Sequence, residues 1–178
     1  MIPSKEECLD LMKEYNMLEH IVRHSILVNK IALYLSEELN KNGEKLDLSK
    51  VQAGALLHDI TKTRSIKTRE NHATTGGKLL DDLGFKDISE IVIQHVMIDD
   101  NVNSSRITET EIINYADKRV KHDKAVTLKE RFDDLRERYG TDDKRVYMIN
   151  RSKCKTMKLE KKIFSRLNIT ADSLLSIS

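Results

Sequence analysis

The stretch Leu56-Leu57-His58-Asp59-Ile60-Thr61-Lys62 carries most of what this chain discloses about its fold and chemistry. It closes a segment, Ser49 to Ile60, in which Val51, Ala53, Ala55, Leu56 and Leu57 leave almost no polar face. A helix apolar on every side belongs in the interior of a larger protein, so this one is expected to be the central buried element. Yet it ends on an adjacent imidazole and carboxylate, a costly pair in apolar surroundings unless something partners it. Further candidates stand at helix-compatible positions around it: His24 in Arg23-His24-Ser25 upstream, then His72, His95 and Asp117 downstream. One histidine on an apolar face is most often a satisfied core group. So many donors converging on one region read as a metal site. Neighbours on an ideal helix point about 100° apart, so His58 and Asp59 can share an ion only at a helix end flanking a pocket. The polar run from Thr61 supplies that end.

Composition frames the rest. The chain has 178 residues, one Pro, six Gly and no Trp, with Glu, Lys and Leu abundant, which points to an all-α protein with an aliphatic core. Thirty-one basic against 29 acidic residues leave a net charge of +2, which creates no global demand for nucleic acid or an anionic membrane. Cys8 and Cys154 are far apart, the usage of a reducing, cytoplasmic setting. No run reaches the roughly 18 apolar residues of a membrane span, and Pro3 and Glu6-Glu7 do not fit a secretory signal.

Outward from the central helix, Ser4 with Glu7 forms a capping box that opens a short helix to about Tyr15. An amphipathic helix from about Met17 to Leu39 carries Leu18, Ile21, Leu27, Val28, Ile31 and Leu35 on one stripe and stops at Asn42-Gly43. Thr61 to Asn71 lacks apolar periodicity and reads as a basic loop. His72 opens a helix ending at Leu83-Gly84, in which Gly76-Gly77 permits close helix packing. Ile88 to Ile98 forms another, Asp99 to Ser105 a second polar loop, and Thr108 with Glu111 caps the helix bearing Asp117. Two highly charged helices follow, about Leu128 to Tyr139 and Lys144 to Leu167. Their mixed charges read first as solvated faces; a helical arm for homodimer contact or substrate capture is the alternative. The expected organisation is residues 1–125 as the main helical unit with its N-terminal helix, and 126–178 as a helical C-terminal extension packed into the same domain.

In order, His24, His58-Asp59 and Asp117 resemble the ligand pattern of the HD-domain superfamily of metal-dependent phosphohydrolases. The stretch His58-Asp59-Ile60-Thr61-Lys62 is similar to that family's His-Asp-Ile-Gly-Lys version of the motif, with Thr61 where glycine is commonest. The resemblance spans about Leu18 to Val120 and implies an HD-domain helical bundle. In two-metal branches one His follows the His-Asp pair closely, another lies further on, and the Asp bridges. His72 and His95 match those places, so the resemblance implies a dinuclear site with Asp59 bridging, closest in ligand set to enzymes that hydrolyse diadenosine tetraphosphate. It likewise implies that Lys62 lies by the substrate phosphate, where an ammonium is a suitable point charge.

Imidazole and carboxylate ligands suit Mn²⁺, Fe²⁺, Zn²⁺, Co²⁺ or Ni²⁺, one or two ions per chain, and exclude a thiolate-type structural zinc. The expected activity is hydrolysis of a phosphoester or phosphoanhydride of a nucleotide-like small molecule, with Asp59 and Lys62 as catalytic groups. Nucleic acid is not an expected partner. Arg64, Lys67 and Arg69 make the adjoining segment basic, and Lys118 and Arg119 follow Asp117, so Lys62, Arg64 and Lys118 are the candidates for substrate phosphate. His20, one turn before His24, is a candidate to line the pocket; His122 and the two cysteines carry no assigned role. Two other readings stay open: a di-iron HD-domain oxygenase, and a regulatory or binding module with an inactive site.

Overall fold

Helix α3 (Leu48–Leu57) is buried at six of its ten positions and forms the axis around which the other helices assemble. The computed structural model describes residues 1–98 and 106–178, so the expected polar loop Asp99–Ser105 lies outside the described residues. Before α3 come α1 (Lys5–Glu14) and α2 (Glu19–Lys41); after it come α4 (Lys62–Thr68), α5 (His72–Asp82), α6 (Lys86–Gln94) and α7 (Glu109–Lys118). A short antiparallel hairpin of β1 (Val120–Lys121) and β2 (Lys124–Ala125) leads to α8 (Leu128–Tyr139), α9 (Asp143–Phe164) and a 3-10 turn, Ala171–Ser176. The architecture is all-α.

Helices α1, α2, α6 and α7 all pack on α3. Leu27, Val28, Ile31, Leu35 and Leu39 of α2 meet Val51, Leu56 and Leu57 of α3 in the core, each such side chain contributing about 1.5–3 kcal/mol of burial free energy. Close approach needs a missing Cβ: at Gly54 one would fall 2.6 Å from Ile113 Cδ1 of α7 and 3.0 Å from Ile91 Cγ2 of α6. The same device seats α5 on α6, where a Cβ on Gly77 would sit 2.3 Å from Ile93 Cγ1. Capping boxes at Ser4 and Thr108 start α1 and α7 as their sequences predict, and a third at Thr127 starts α8.

Several local expectations need correction. Residues 62–68 form helix α4 rather than a loop. None of its residues is buried, so the lack of an apolar stripe reported its exposure; the helix is tied to the rest of the chain by polar contacts, among them Leu18 N–H donating to Thr63 Oγ1 at 3.0 Å. Helix α6 begins at Lys86 and ends at Gln94, which puts His95 at its C-terminal cap instead of inside it. The hairpin and the 3-10 turn have no sequence signal of the usual kind, since the hairpin turns at His122 in the left-handed region (φ 56) without glycine.

Arg119 also departs from expectation. A basic residue just after Asp117 reads most simply as a solvated charge, but it is 2% exposed, and its guanidinium donates to Val126 O (2.8 Å), Ala171 O (2.9 Å), Tyr115 Oη (2.9 Å) and Glu160 Oε2 (3.1 Å). Tyr115 donates to the same Glu160 oxygen at 2.6 Å. One cation thus ties α7 to the hairpin, to α9 and to the chain's end. Arg119→Met should leave two carbonyls without their donor and the Glu160 carboxylate without its cation, and cost about 2–4 kcal/mol. Urea unfolding followed by circular dichroism checks this; a loss below 1 kcal/mol would show that the network adds little.

Candidate metal centre

Five elements end at, or cross, one point. Helix α2 brings His24, the turn after α3 brings His58 and Asp59, the start of α5 brings His72, the cap of α6 brings His95, and α7 brings Asp117. The donor atoms fall into two groups within which every pair lies inside 4.8 Å: His24, His58 and Asp59, and Asp59, His72 and His95. Asp59 belongs to both. Asp117 closes the first group, with Oδ1 3.0 Å from His24 Nε2 and 3.8 Å from His58 Nε2.

The rings are oriented from behind. His24 Nδ1 lies 3.0 Å from the His122 carbonyl, His58 Nδ1 2.8 Å from that of Ala55, and His95 Nδ1 2.6 Å from that of Val92. A carbonyl only accepts, so each Nδ1 donates to the backbone behind it and each ring turns its Nε2 toward the centre. There the ring nitrogens meet carboxylate oxygens and one another: His95 Nε2 is 3.6 Å from Asp59 Oδ1 and within hydrogen-bond distance, 3.2 Å, of His72 Nε2. His58 Nε2 and Asp59 Oδ1 are buried with no hydrogen-bond partner at all. His72 Nε2 approaches that oxygen at 3.2 Å and Lys62 Nζ at 3.5 Å, neither in hydrogen-bonding geometry. Buried acceptors facing acceptors are unfavourable until a cation stands among them. The donor set fits a divalent ion of the imidazole and carboxylate kind.

Electrostatics agree. Burial pushes His58 down to about 4, against the pull of Asp59, so its ring is neutral. Burial opposes ionisation of Asp59, but the Lys62 charge and the facing imidazoles hold its carboxyl well below the usual range. Asp117 behaves alike: burial is outweighed by Lys118 and by the His24 hydrogen bond. His72 is lowered chiefly by burial.

The cage opens into a cavity of about 690 Å³. Lys62 and Lys118 both line it. Lys118 is 5% exposed and already committed, with Nζ 2.6 Å from Asp117 Oδ2 and 3.3 Å from the His95 carbonyl. Arg64 does not line the cavity: Glu70 holds its guanidinium through two 2.9 Å hydrogen bonds on the exposed side of α4. Arg69 lines it instead, and so does His20. His122 contributes through its carbonyl, set by its left-handed backbone. Cys8 is a core group whose thiol burial pushes up to about 12.

The far wall escaped the sequence. Arg131, Arg138 and Arg145 line the cavity from α8 and α9, and Arg131 and Asp134 are buried where solvated faces were expected. Their signal was spacing: Arg131, Asp134 and Arg138 at i, i+3 and i+7 share a face with Leu128, Phe132 and Leu135.

The HD domain family matches residues 21–120, more than half of the chain and the whole span from His24 to Asp117. This chain belongs to the HD domain family. A tRNA (cytidine(56)-2'-O)-methyltransferase of Thermoplasma volcanium is 32% identical over 97 residues, covering 54% of this chain and 27% of that protein. The enzyme of the same name from Picrophilus torridus is 31% identical over 149 residues, 74% of this chain and 40% of that protein. An uncharacterized protein of Methanocaldococcus jannaschii is 29% identical over 92 residues, 51% of this chain and 53% of its own. This HD-domain chain therefore spans roughly a quarter to a half of the curated relatives it matches. No solved structure matches it. Among the described residues no helix is long and apolar enough to cross a membrane.

A divalent ion that enters the cage should raise thermal stability, because its donors face one another only in the folded chain. At a hundredfold excess over Kd the gain is about 2.7 kcal/mol, or about 5–10 °C in Tm. Scanning calorimetry of chelator-stripped protein with and without Mn²⁺ or Zn²⁺ checks it. Asp59→Asn should abolish most of the rise; an equal rise in that variant would place the ion elsewhere.

Proposed function

We propose that this HD domain is a metal-dependent phosphohydrolase acting on a nucleotide-like small molecule. The observation that carries the reading is Asp59: it is the one carboxylate common to both donor groups, with an unpartnered buried oxygen facing His72 and His95. His24, His58, Asp59 and Asp117 would hold one divalent ion, and Asp59, His72 and His95 a second. Bound there, such ions offset negative charge gathering on a phosphate and make water a usable nucleophile near neutral pH.

The remaining tasks belong to the chain. Lys62, at the first turn of α4 and on the cavity wall, would give its ammonium to the phosphate; its present partners, His72 Nε2 at 3.2 Å and Asp59 Oδ1 at 3.5 Å, keep it at the mouth of the cage. Lys118 would hold Asp117 ionised and oriented rather than meet substrate. The backbone carbonyls behind His24, His58 and His95 would fix the ring tautomers through the cycle.

A second reading, in which the phosphorylated substrate is RNA, draws on α9, where eight Lys and Arg stand against Asp143 and Glu160. The methyltransferase relatives are named for tRNA. A panel of nucleotides, diadenosine polyphosphates and short RNAs, assayed anaerobically for phosphate or nucleotide release with metal added, separates the two. Turnover that depends on oxygen, with no phosphate released, would overturn both in favour of oxygenase chemistry.

Asp59→Ala should abolish release while the far-ultraviolet dichroism stays helical; near wild-type turnover in that variant would contradict the proposal. Lys62→Ala should lower kcat/KM by roughly one to two orders of magnitude, as expected for one charge-assisted phosphate contact. Its metal content should stay unchanged. Parallel loss of metal would assign Lys62 to holding the cage instead.

A further inference from the structure

The family match ends at residue 120, yet the cavity continues past it. Its outer wall is built by α8, on which Arg131 and Arg138 lie two turns apart with Asp134 between them. The Asp134 carboxylate accepts from Arg131 Nη1 (3.3 Å), from Arg138 Nε (3.1 Å) and Arg138 Nη2, and has Lys121 Nζ at 3.4 Å. One anion is thus shared among three cations, and the group keeps a surplus of positive charge beside the cavity. Arg131 is 9% exposed, but its Nε has no partner. Its Nη2 is 3.8 Å from Asp117 Oδ1, and that carboxylate is already engaged by Lys118 and His24. A desolvated guanidinium with unused donors is unfavourable by itself and favourable against an oxyanion, whose geometry its planar fork matches. Arg138 is half-exposed and its guanidinium lies 5.2 Å from the Tyr139 ring centroid, which supports a fixed orientation.

The distance from Arg131 to Asp117 sets what the group can bind. An anion held by Arg131 and Arg138 is an immediate neighbour of one held at the cage. We propose that Arg131 and Arg138 form a subsite for a second phosphoryl group, adjacent to the phosphate attacked at the cage, so that the preferred substrates are phosphoanhydrides rather than simple monoesters. This assignment rests on the phosphohydrolase reading for its first phosphate. Asp134 is a positioning residue here: burial works against its ionisation, but the Arg138 hydrogen bond and the charges around it hold its carboxyl below the ordinary value.

Titration calorimetry of methylenediphosphonate, a pyrophosphate analogue that hydrolases do not cleave, against methylphosphonate tests the subsite on the intact 178-residue chain. The diphosphonate should bind about tenfold tighter or more, as one charge-assisted contact provides. Arg138→Gln should erase that advantage, and Arg131→Lys, which keeps the charge but loses the fork, should reduce it severalfold. Lys129→Gln removes an exposed cation of the same helix and should leave the ratio within about twofold, which separates the subsite from general charge attraction. Circular dichroism identifies variants that fold. Equal affinity for the two probes, or an unchanged ratio in folded Arg138→Gln, would overturn the subsite. An Arg138-dependent preference in protein that releases no phosphate would support the subsite while overturning the phosphohydrolase reading; hydrolysis with no preference between anhydrides and monoesters would do the reverse.

Discussion

Two ionised carboxylates, Asp59 and Asp117, sit at 6% and 7% exposure beside four imidazoles, and everything near them serves to make that arrangement tolerable. Buried charge is costly unless it is paired. Lys62 and Lys118 each lie within ion-pair distance of one of these carboxylates, and Arg131 approaches Asp117, so cations partly answer the need. They leave part of the inner face unanswered: His58 Nε2 and Asp59 Oδ1 have no hydrogen-bond partner. The fold holds these groups in place through apolar packing of α2, α6 and α7 around α3 and of α5 on α6, with Gly54 and Gly77 letting helices approach closely enough for donors from five elements to meet. Core packing is thereby spent on an electrostatic conflict that a divalent ion relieves.

Much of this was legible because the interior writes itself strongly into sequence. An unbroken apolar run ending in His58-Asp59 has one sensible location, and capping boxes at Ser4 and Thr108 fix where helices begin. Each donor singled out from the sequence, His24 through Asp117, arrives at one point. Failures occurred where local signals and tertiary roles part company. Helix α4 has no buried residue, so no periodicity announces it. Arg119 reads as a surface cation until the carbonyls of Val126 and Ala171 and the Glu160 carboxylate are brought to it from later in the chain. His122 looks idle because its contribution is a carbonyl in a left-handed turn, independent of its ring.

The charged C-terminal helices are the most instructive case. Alternating signs along α8 suit a solvated face, and most of its charges are solvated. The exceptions, Arg131 and Asp134, are those on the stripe with Leu128 and Phe132, where burial converts a charge pattern into a cavity wall. That wall lies beyond the stretch matched by the HD domain family, whereas the cage lies wholly within it. A shared centre with a distinct wall is the arrangement by which one fold serves different substrates, since function resides in sites carried on the scaffold. The curated relatives, of which this chain spans only part, are consistent with such a unit being combined with other chemistry.

The central claim is that Asp59 is shared by two ions, and counting ions tests it most directly. Plasma mass spectrometry of protein purified anaerobically and dialysed against Mn²⁺ should give about two ions per wild-type chain, as a two-metal site requires. Removing one donor of the second group in His95→Ala should leave about one, because His24, His58, Asp59 and Asp117 remain intact as a set. Saturation of the wild type at about one ion, with the same count in folded His95→Ala, would contradict the account.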